Sequence, residues 1–406
     1  MSEIIAAARV VTSASVLTPG WVETSGDRVV ALGAGAPPRT PSRDLGAATL
    51  VPGFVDMHVH GGGGASYTDA SRTAVTSSRD AHLARGTTRT MASLVTADSG
   101  ALLAQVSALA GFVAEGLVAG IHLEGPWLSP ERAGAHDPEL LRHPDLTEID
   151  ALLAAGAGAI AMVTIAPELP GAVAAIERFV AAGVVVAIGH TAADYGTARR
   201  AIDAGATVAT HLFNAMPSLH HREPGPVLAL LEDPRVTLEL IADGTHLRPE
   251  LARWVMEKAG PDRVALVTDA MAAAGCGDGH YALGTLDVEV TGGVARLEGS
   301  DTIAGSTVTM DALFRWCAAG TGADTGQGTH GRERAESSDA ALCGAVRATA
   351  TNPARALGWS DVGDIAVGKT ADFVVLDPEL RVARVIRSGE FAQECISTPR
   401  DSGELR

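Results

Sequence analysis

Eight short apolar runs punctuate residues 51 to 269, and five of them end at residues able to bind a metal or move a proton. Val51 to Asp56 delivers His58 and His60, Val118 to Leu123 delivers Glu124, Val184 to Ile188 delivers His190, Thr207 to Thr210 delivers His211, and Val264 to Thr268 delivers Asp269. Arg89 to Val95, Ile160 to Ile165 and Val236 to Ile241 complete the set. Helical character fills the gaps at Asp69 to Arg85, Ala101 to Glu115, Gly171 to Ala182, Asp194 to Ala204 and Pro249 to Ala259. Apolar strands alternating with helices predict a parallel sheet covered by helices. The economical α/β fold is a (β/α)8 TIM barrel, whose chemistry gathers where the strands end. An open doubly wound sheet is the alternative, but its ligand site would gather at one switch point. Chemical residues at five strand ends favour closure.

At 406 residues the chain exceeds one ordinary core, so an appendage is expected. Ile4 to Leu50 and Ile365 to Ile386 read as short β-segments, with Gly26-Asp27 as a hairpin signal and Phe373 to Leu376 as a strand. The predicted division is residues 1–50 and 356–406 as the two parts of one small β-sandwich domain, and 51–355 as the catalytic barrel. Within the barrel, residues 279–298 predict a β-rich insertion with a Gly292-Gly293 turn, placed to wall an active site. Residues 320–338, rich in Gly, Thr, Ser and charge, read as a flexible surface loop.

A formal charge of −17 argues against nucleic acid and anionic membranes as partners. Met1 to Val11 lacks the basic start and long apolar core of a signal peptide, and no run reaches transmembrane length. Cys276, Cys317, Cys343 and Cys395 form no paired metal or redox motif. The expectation is a cytoplasmic protein.

His58 and His60 alternate onto one side of an extended segment, and Gly61 to Gly64 let the backbone approach a ligand. Glu124 follows an apolar strand directly, a costly place for a carboxylate unless a cation neutralises it. Histidine and carboxylate donors without thiolate suit Zn²⁺ or Fe²⁺ and leave room for water, as in catalytic sites. Such an ion lowers the pKa of water towards about 7. Asp269, at the last strand end, is then the proton acceptor and donor, unless it caps a helix at Ala270 to Ala274. Lys258 and Lys369 are the only lysines, and neither lies at the end of the fourth strand, where many binuclear amidohydrolases place a carboxylated lysine. Glu124 takes the anionic role, which argues against dihydroorotase, hydantoinase and urease types.

The chain resembles the N-acetylglucosamine-6-phosphate deacetylase family of the amidohydrolase superfamily. The resemblance rests on Pro52 to Asp56 with His58 to Gly64, "GIHLEGPWLSPERAGAHDP" at 120–138, "GHTAADY" at 189–195, "THLFNAMPSLHHREPG" at 210–225, "IADGTHL" at 241–247, "LVTDAM" at 266–271 and "IAGSTVTM" at 303–310. It implies Glu124, His190 and His211 as ligands of the principal metal and Asp269 as catalytic acid/base. His58 and His60 are both retained, so the resemblance admits one or two ions, zinc foremost, with iron(II) as the alternative. It further implies His136 as the group that polarises the acetamide carbonyl, and Ala135 on the sugar-binding segment. Asn214, Ala215 and Arg222 match phosphate-binding positions, His246 a sugar or phosphate contact, and Ile303, Ala304, Gly305 and Ser306 a lining segment. In resembling enzymes the arginine reaches across a dimer interface, which implies a homodimer acting on a phosphorylated amino sugar. Two rivals stand beside this reading: another amide or cyclic-amide hydrolase of the barrel class, and a relative that keeps the fold as a binding module.

Overall fold

The computed structural model describes residues 2–320 and 338–392. The flexible-loop expectation for 320–338 therefore falls, apart from its end residues, outside the described residues. Eight parallel strands form one sheet in sequential order: β1 (Phe54–Asp56), β2 (Thr87–Leu94), β3 (Gly120–Glu124), β4 (Ile160–Ile165), β5 (Val185–Ile188), β6 (Val208–Ala209), β7 (Thr237–Leu240) and β8 (Val264–Leu266). Closure is made just past the strand ends. Val59 and Ala270 form a parallel bridge, Asp269 N–H donates to the His58 carbonyl at 2.8 Å, and His60 N–H donates to the Ala270 carbonyl at 2.8 Å. A buried carboxyl group reinforces the seam, because Asp56 accepts from the hydroxyl and the N–H of Thr268. The sheet is thus a barrel and not an open doubly wound sheet.

Helices follow the first seven strands in turn: α1 (Arg72–Leu83), α2 (Ser99–Ala114), α3 (Leu146–Gly156), α4 (Ala172–Ala181), α5 (Tyr195–Asp203), α6 (Gly225–Glu232) and α7 (Pro249–Ala259). Asp98, Asp145 and Asp194 cap three of them by accepting N–H groups of the first turn. The helices α3 and α6 were not among the expected stretches. The first follows a long Pro-, Arg- and Gly-containing loop, and the second is short and opens on Gly225-Pro226, which read as turn residues. No helix is long and apolar enough to cross a membrane among the described residues.

Two compact units divide the described residues: one comprises Asp56–His82 and Arg89–Thr309, the other the described residues up to Val55, Leu83–Thr88 and the described residues from Met310 onward. This differs from a division at 50 and 355. Val51 and Pro52 pair with Val374 and Phe373 in a terminal sheet, so the run Val51 to Asp56 is two strands, separated at Gly53. Helix α8 (Met310–Ala318) also groups with the terminal unit, its Phe314 ring 5.3 Å from that of Phe54.

In the terminal unit, a four-stranded sheet (Arg28–Ala34, Gly20–Ser25, Ser2–Ala7, Arg43–Asp44) and a six-stranded sheet (Glu390–Phe391, Val382–Arg387, Phe373–Leu376, Thr49–Pro52, Arg9–Val11, Val16–Leu17) share one core. Ile5, Val22 and Val29 from the first meet Val10, Leu50, Phe373 and Ile386 from the second. Both termini build it, as expected. In the barrel unit, the insertion is a three-stranded antiparallel sheet of Gly279–Leu283, Leu286–Thr291 and Val294–Leu297. Its inward residues Leu283, Val288 and Val290 pack with Val95 and Met271 near the barrel mouth.

Candidate metal centre

Each chemical residue sits at or just past a strand end: His58 and His60 after β1, Glu124 at the end of β3, and His190, His211 and Asp269 after β5, β6 and β8. His190, His211 and Asp269 have φ of 46°, 26° and 48°, left-handed values uncommon outside glycine. Such strain persists only where the surroundings over-determine it, and it gathers at functional sites. Here the turn away from each strand aims the side chain over the barrel mouth. Glycine is required where the loop after β3 passes under His190: Gly134 has φ +58°, and a Cβ there would lie 3.0 Å from the imidazole Cε1.

Two donor sets result, His58 with His60 and Asp269, and Glu124 with His190 and His211, all buried. Nε2 of His190 and Nε2 of His211 stand 3.0 Å apart, each 3.1 Å from Oε1 of Glu124. Nε2 of His58 and Nε2 of His60 stand 3.2 Å apart, at 3.4 and 3.2 Å from Oδ1 of Asp269. Glu124 faces both sets, because its other oxygen, Oε2, lies 3.5 Å from Nε2 of His58 and 3.1 Å from Nε2 of His60.

The outer ring nitrogens show what the inner ones carry. Nδ1 of His190 lies 2.9 Å from the Arg132 carbonyl and Nδ1 of His60 3.2 Å from the Ser93 carbonyl. A carbonyl only accepts, so each ring holds a proton on Nδ1 and leaves Nε2 as the inward atom that would give its lone pair to a cation. Lone pairs and carboxylate oxygens crowded within about hydrogen-bond distance of one another repel unless a cation stands among them, and an acceptor behind each ring is the usual support of a metal-binding histidine. The residues present fit a divalent ion. Their field agrees. Burial disfavours a charged imidazole, yet the carboxylates of Glu124, Asp269 and Glu239 hold His58 well above its ordinary pKa, and hydrogen bonds to Asp269 and Glu124 raise His60 to about 9 against the same burial. Burial also works against charge on Glu124 and Asp269, but the facing histidines hold both carboxyls well below their usual range.

A cavity of about 390 Å³ opens over this centre. Its wall includes His60, Glu124, His190, His211 and Asp269, together with the expected Ala135, His136, Asn214, Ala215, His246, Ile303 and Gly305. His136 points Nε2 to 3.3 Å from Oε2 of Glu124, and His246 is steadied by Asp243 at 2.8 Å. Three expected substrate residues are not in the wall. Ala304 is buried in the apolar cluster beneath the insertion, and Ser306 gives its hydroxyl to the Thr268 carbonyl at 2.5 Å. Arg222 is exposed, its Nη1 2.7 Å from Nε2 of His221. No helix follows Asp269, where residues 272–275 form turns, so it caps nothing.

Four participants were not read from the sequence: Thr96 behind His136, Glu239 behind His58, Arg132 in the cavity wall, and His122. The last is buried between Ser93 and Thr164 at 3.0 and 2.8 Å, its ring 4.6 Å from that of His58. Two of them carried a signal, since Glu239 and His122 are ionisable residues inside otherwise apolar runs.

Comparison with known proteins accords with this geometry. The amidohydrolase family model matches residues 49–392. The N-acetylgalactosamine-6-phosphate deacetylase of Escherichia coli O157:H7 is 36% identical over 402 residues, covering 97% of this chain and 100% of the relative. The N-acetylglucosamine-6-phosphate deacetylase of Bacillus subtilis is 34% identical over 399 residues, covering 94% and 95%. Among solved structures, a mutant N-acetyl-D-glucosamine-6-phosphate deacetylase of Mycobacterium smegmatis, in complex with N-acetyl-D-glucosamine-6-phosphate, superposes with a TM-score of 0.91 at 52% identity, covering 96% of this chain and 99% of that one. The chain belongs to the amidohydrolase family, within its N-acetylglucosamine-6-phosphate deacetylase branch.

Proposed function

We propose that this chain hydrolyses the acetamide of N-acetyl-D-glucosamine 6-phosphate to acetate and D-glucosamine 6-phosphate, serving amino-sugar catabolism and cell-wall sugar recycling in the cytoplasm. The carrying observation is Glu124, whose two oxygens face the two donor sets beneath a cavity that also holds His136 and Asp269.

Glu124, His190 and His211 hold one divalent ion, and His58, His60 and Asp269 offer a second place. With nitrogen and oxygen donors and no thiolate, zinc suits the set best and iron(II) next. When bound, the ion supplies Lewis acidity and a water acidic enough to ionise near neutral pH. Asp269, at the cavity floor, receives the proton of the attacking water and returns it to the amine nitrogen as the C–N bond breaks. His136 donates its Nε2 proton as a hydrogen bond to the carbonyl oxygen while negative charge builds there. Asn214, Ala215 and His246 line the same cavity and orient the sugar phosphate, with Ile303 and Gly305 also in its wall. Arg132 stands in this wall from the same chain, whereas Arg222, exposed in a single chain, fits a phosphate contact given to a second copy in a homodimer.

The 36% identity to the E. coli N-acetylgalactosamine enzyme over its whole length favours the 4-epimer as the second reading. Acetate release from N-acetylglucosamine 6-phosphate, N-acetylgalactosamine 6-phosphate and unphosphorylated N-acetylglucosamine separates the cases. The reading expects the highest kcat/KM for the first and little turnover of the third. Equal turnover of the unphosphorylated sugar would remove the phosphate from the account.

A further inference from the structure

Glu239 lies on β7 with no solvent exposure, flanked in the chain by Leu238 and Leu240. A carboxyl group persists in such surroundings only when partners hold it. Both of its partners meet a single oxygen. Oε2 is 3.1 Å from Nδ1 of His58 and 3.1 Å from the backbone nitrogen of His211, while Oε1 has no hydrogen-bond partner among the described residues. The two histidines belong to different donor sets, with their rings stacked 5.5 Å apart.

The His211 amide is a fixed donor, so Oε2 is an acceptor there. Nδ1 of His58 then gives a proton to the same oxygen and leaves Nε2, facing His60 and Asp269, as the atom that would give its lone pair to an ion. The same contact pins the peptide of His211, whose φ of 26° is itself strained. Glu239 forms no part of the cavity wall, so it acts only through the histidines it holds.

We propose that Glu239 is a positioning residue for the second donor set, so that a divalent ion at His58, His60 and Asp269 is held at full affinity only while its Oε2 acceptor is in place. This rests on reading the barrel mouth as a two-ion centre.

The test is Zn²⁺ titration of the metal-free full chain by calorimetry, with elemental analysis, for the wild type, Glu239→Gln, Glu239→Leu, and Glu239→Leu combined with His58→Gln. The wild type binds two ions. Glu239→Gln keeps an acceptor oxygen for both donors and retains both ions. Glu239→Leu weakens the second ion by about 10–100-fold, the usual effect of removing a support behind a ligand, leaves the first in place, and costs nothing further beside His58→Gln. Nitrogen-15 NMR of the zinc-loaded wild type finds the His58 proton on Nδ1, and this decides the matter if the leucine variant does not fold. A folded Glu239→Leu variant that binds both ions with unchanged affinity, or a His58 proton found on Nε2, overturns the proposal. A wild type that binds one ion defeats the two-ion reading itself, and the positioning role with it.

Discussion

Thr96 donates its backbone N–H to Nδ1 of His136 at 3.3 Å and sets its hydroxyl 2.9 Å from the same nitrogen. An amide N–H only donates, so Nδ1 of His136 carries the lone pair and Nε2 the proton. This reverses the arrangement at His60 and His190, whose Nδ1 atoms face carbonyl acceptors. Burial lowers the pKa of His136 to about 4, although Glu124 opposes it, so the ring is neutral at neutral pH. The partner behind the ring thus sets His136, with its proton on Nε2, apart from His60 and His190, whose Nε2 atoms are left for an ion.

Removing the hydroxyl of Thr96 loosens that sorting without touching a ligand. Thr96→Val is expected to lower kcat by about tenfold with KM and bound metal little changed, and Thr96→Ser to restore it. Acetate-release kinetics and elemental analysis read both quantities. Unchanged kcat in the valine variant, or loss of metal with activity, would contradict the role.

Asp269→Asn keeps the side-chain volume and removes the proton acceptor. Turnover should fall by about 10²–10⁴-fold, the contribution typical of a general acid/base, while circular dichroism and an ion at Glu124, His190 and His211 persist. Near-normal turnover would take Asp269 out of the mechanism.

Stripping the metal removes the ion that the buried carboxylates and imidazoles of the two donor sets would share. A chelator should therefore lower the melting temperature, and added Zn²⁺ should restore it, with stabilisation of about 4 kcal/mol once the free ion stands 1,000-fold above its Kd. A melting curve indifferent to chelator and zinc would mean that the cluster holds no ion in the folded protein.

Arg222 is the group whose single-chain position least explains its expected role. If a second copy completes the phosphate pocket, light scattering reports a dimer and Arg222→Ala raises KM for the phosphorylated sugar by about tenfold or more, the value of a lost charge-assisted contact. A monomer with unchanged KM would leave the phosphate to Arg132 and the cavity wall.

Much of this architecture is legible in the sequence, because burial on both faces of a parallel strand imposes continuous apolar runs. Ile160–Ile165 is one strand to the residue, and the places of His58, His60, Glu124, His190, His211 and Asp269 in the fold followed from the rule that barrel chemistry sits at strand ends. The run Val51 to Asp56 concealed two strands, since apolar composition does not say which sheet a residue joins. Glu124 was legible as an anion but not as a residue facing two donor sets, because that depends on how strands far apart in sequence converge. Thr96 was invisible for a related reason: a threonine at a strand end is ordinary until a histidine 40 residues away places a ring nitrogen against it.

The central claim, that Glu124, His190 and His211 hold the ion on which deacetylation depends, meets its most direct test in one titration. Metal-free protein is returned to Zn²⁺ while acetate release from N-acetylglucosamine 6-phosphate is followed. The account predicts negligible release without metal, and activity that rises with bound zinc in the wild type and stays absent in His190→Ala and His211→Ala. Full acetate release from metal-free protein, or zinc-restored activity in those variants, would contradict it.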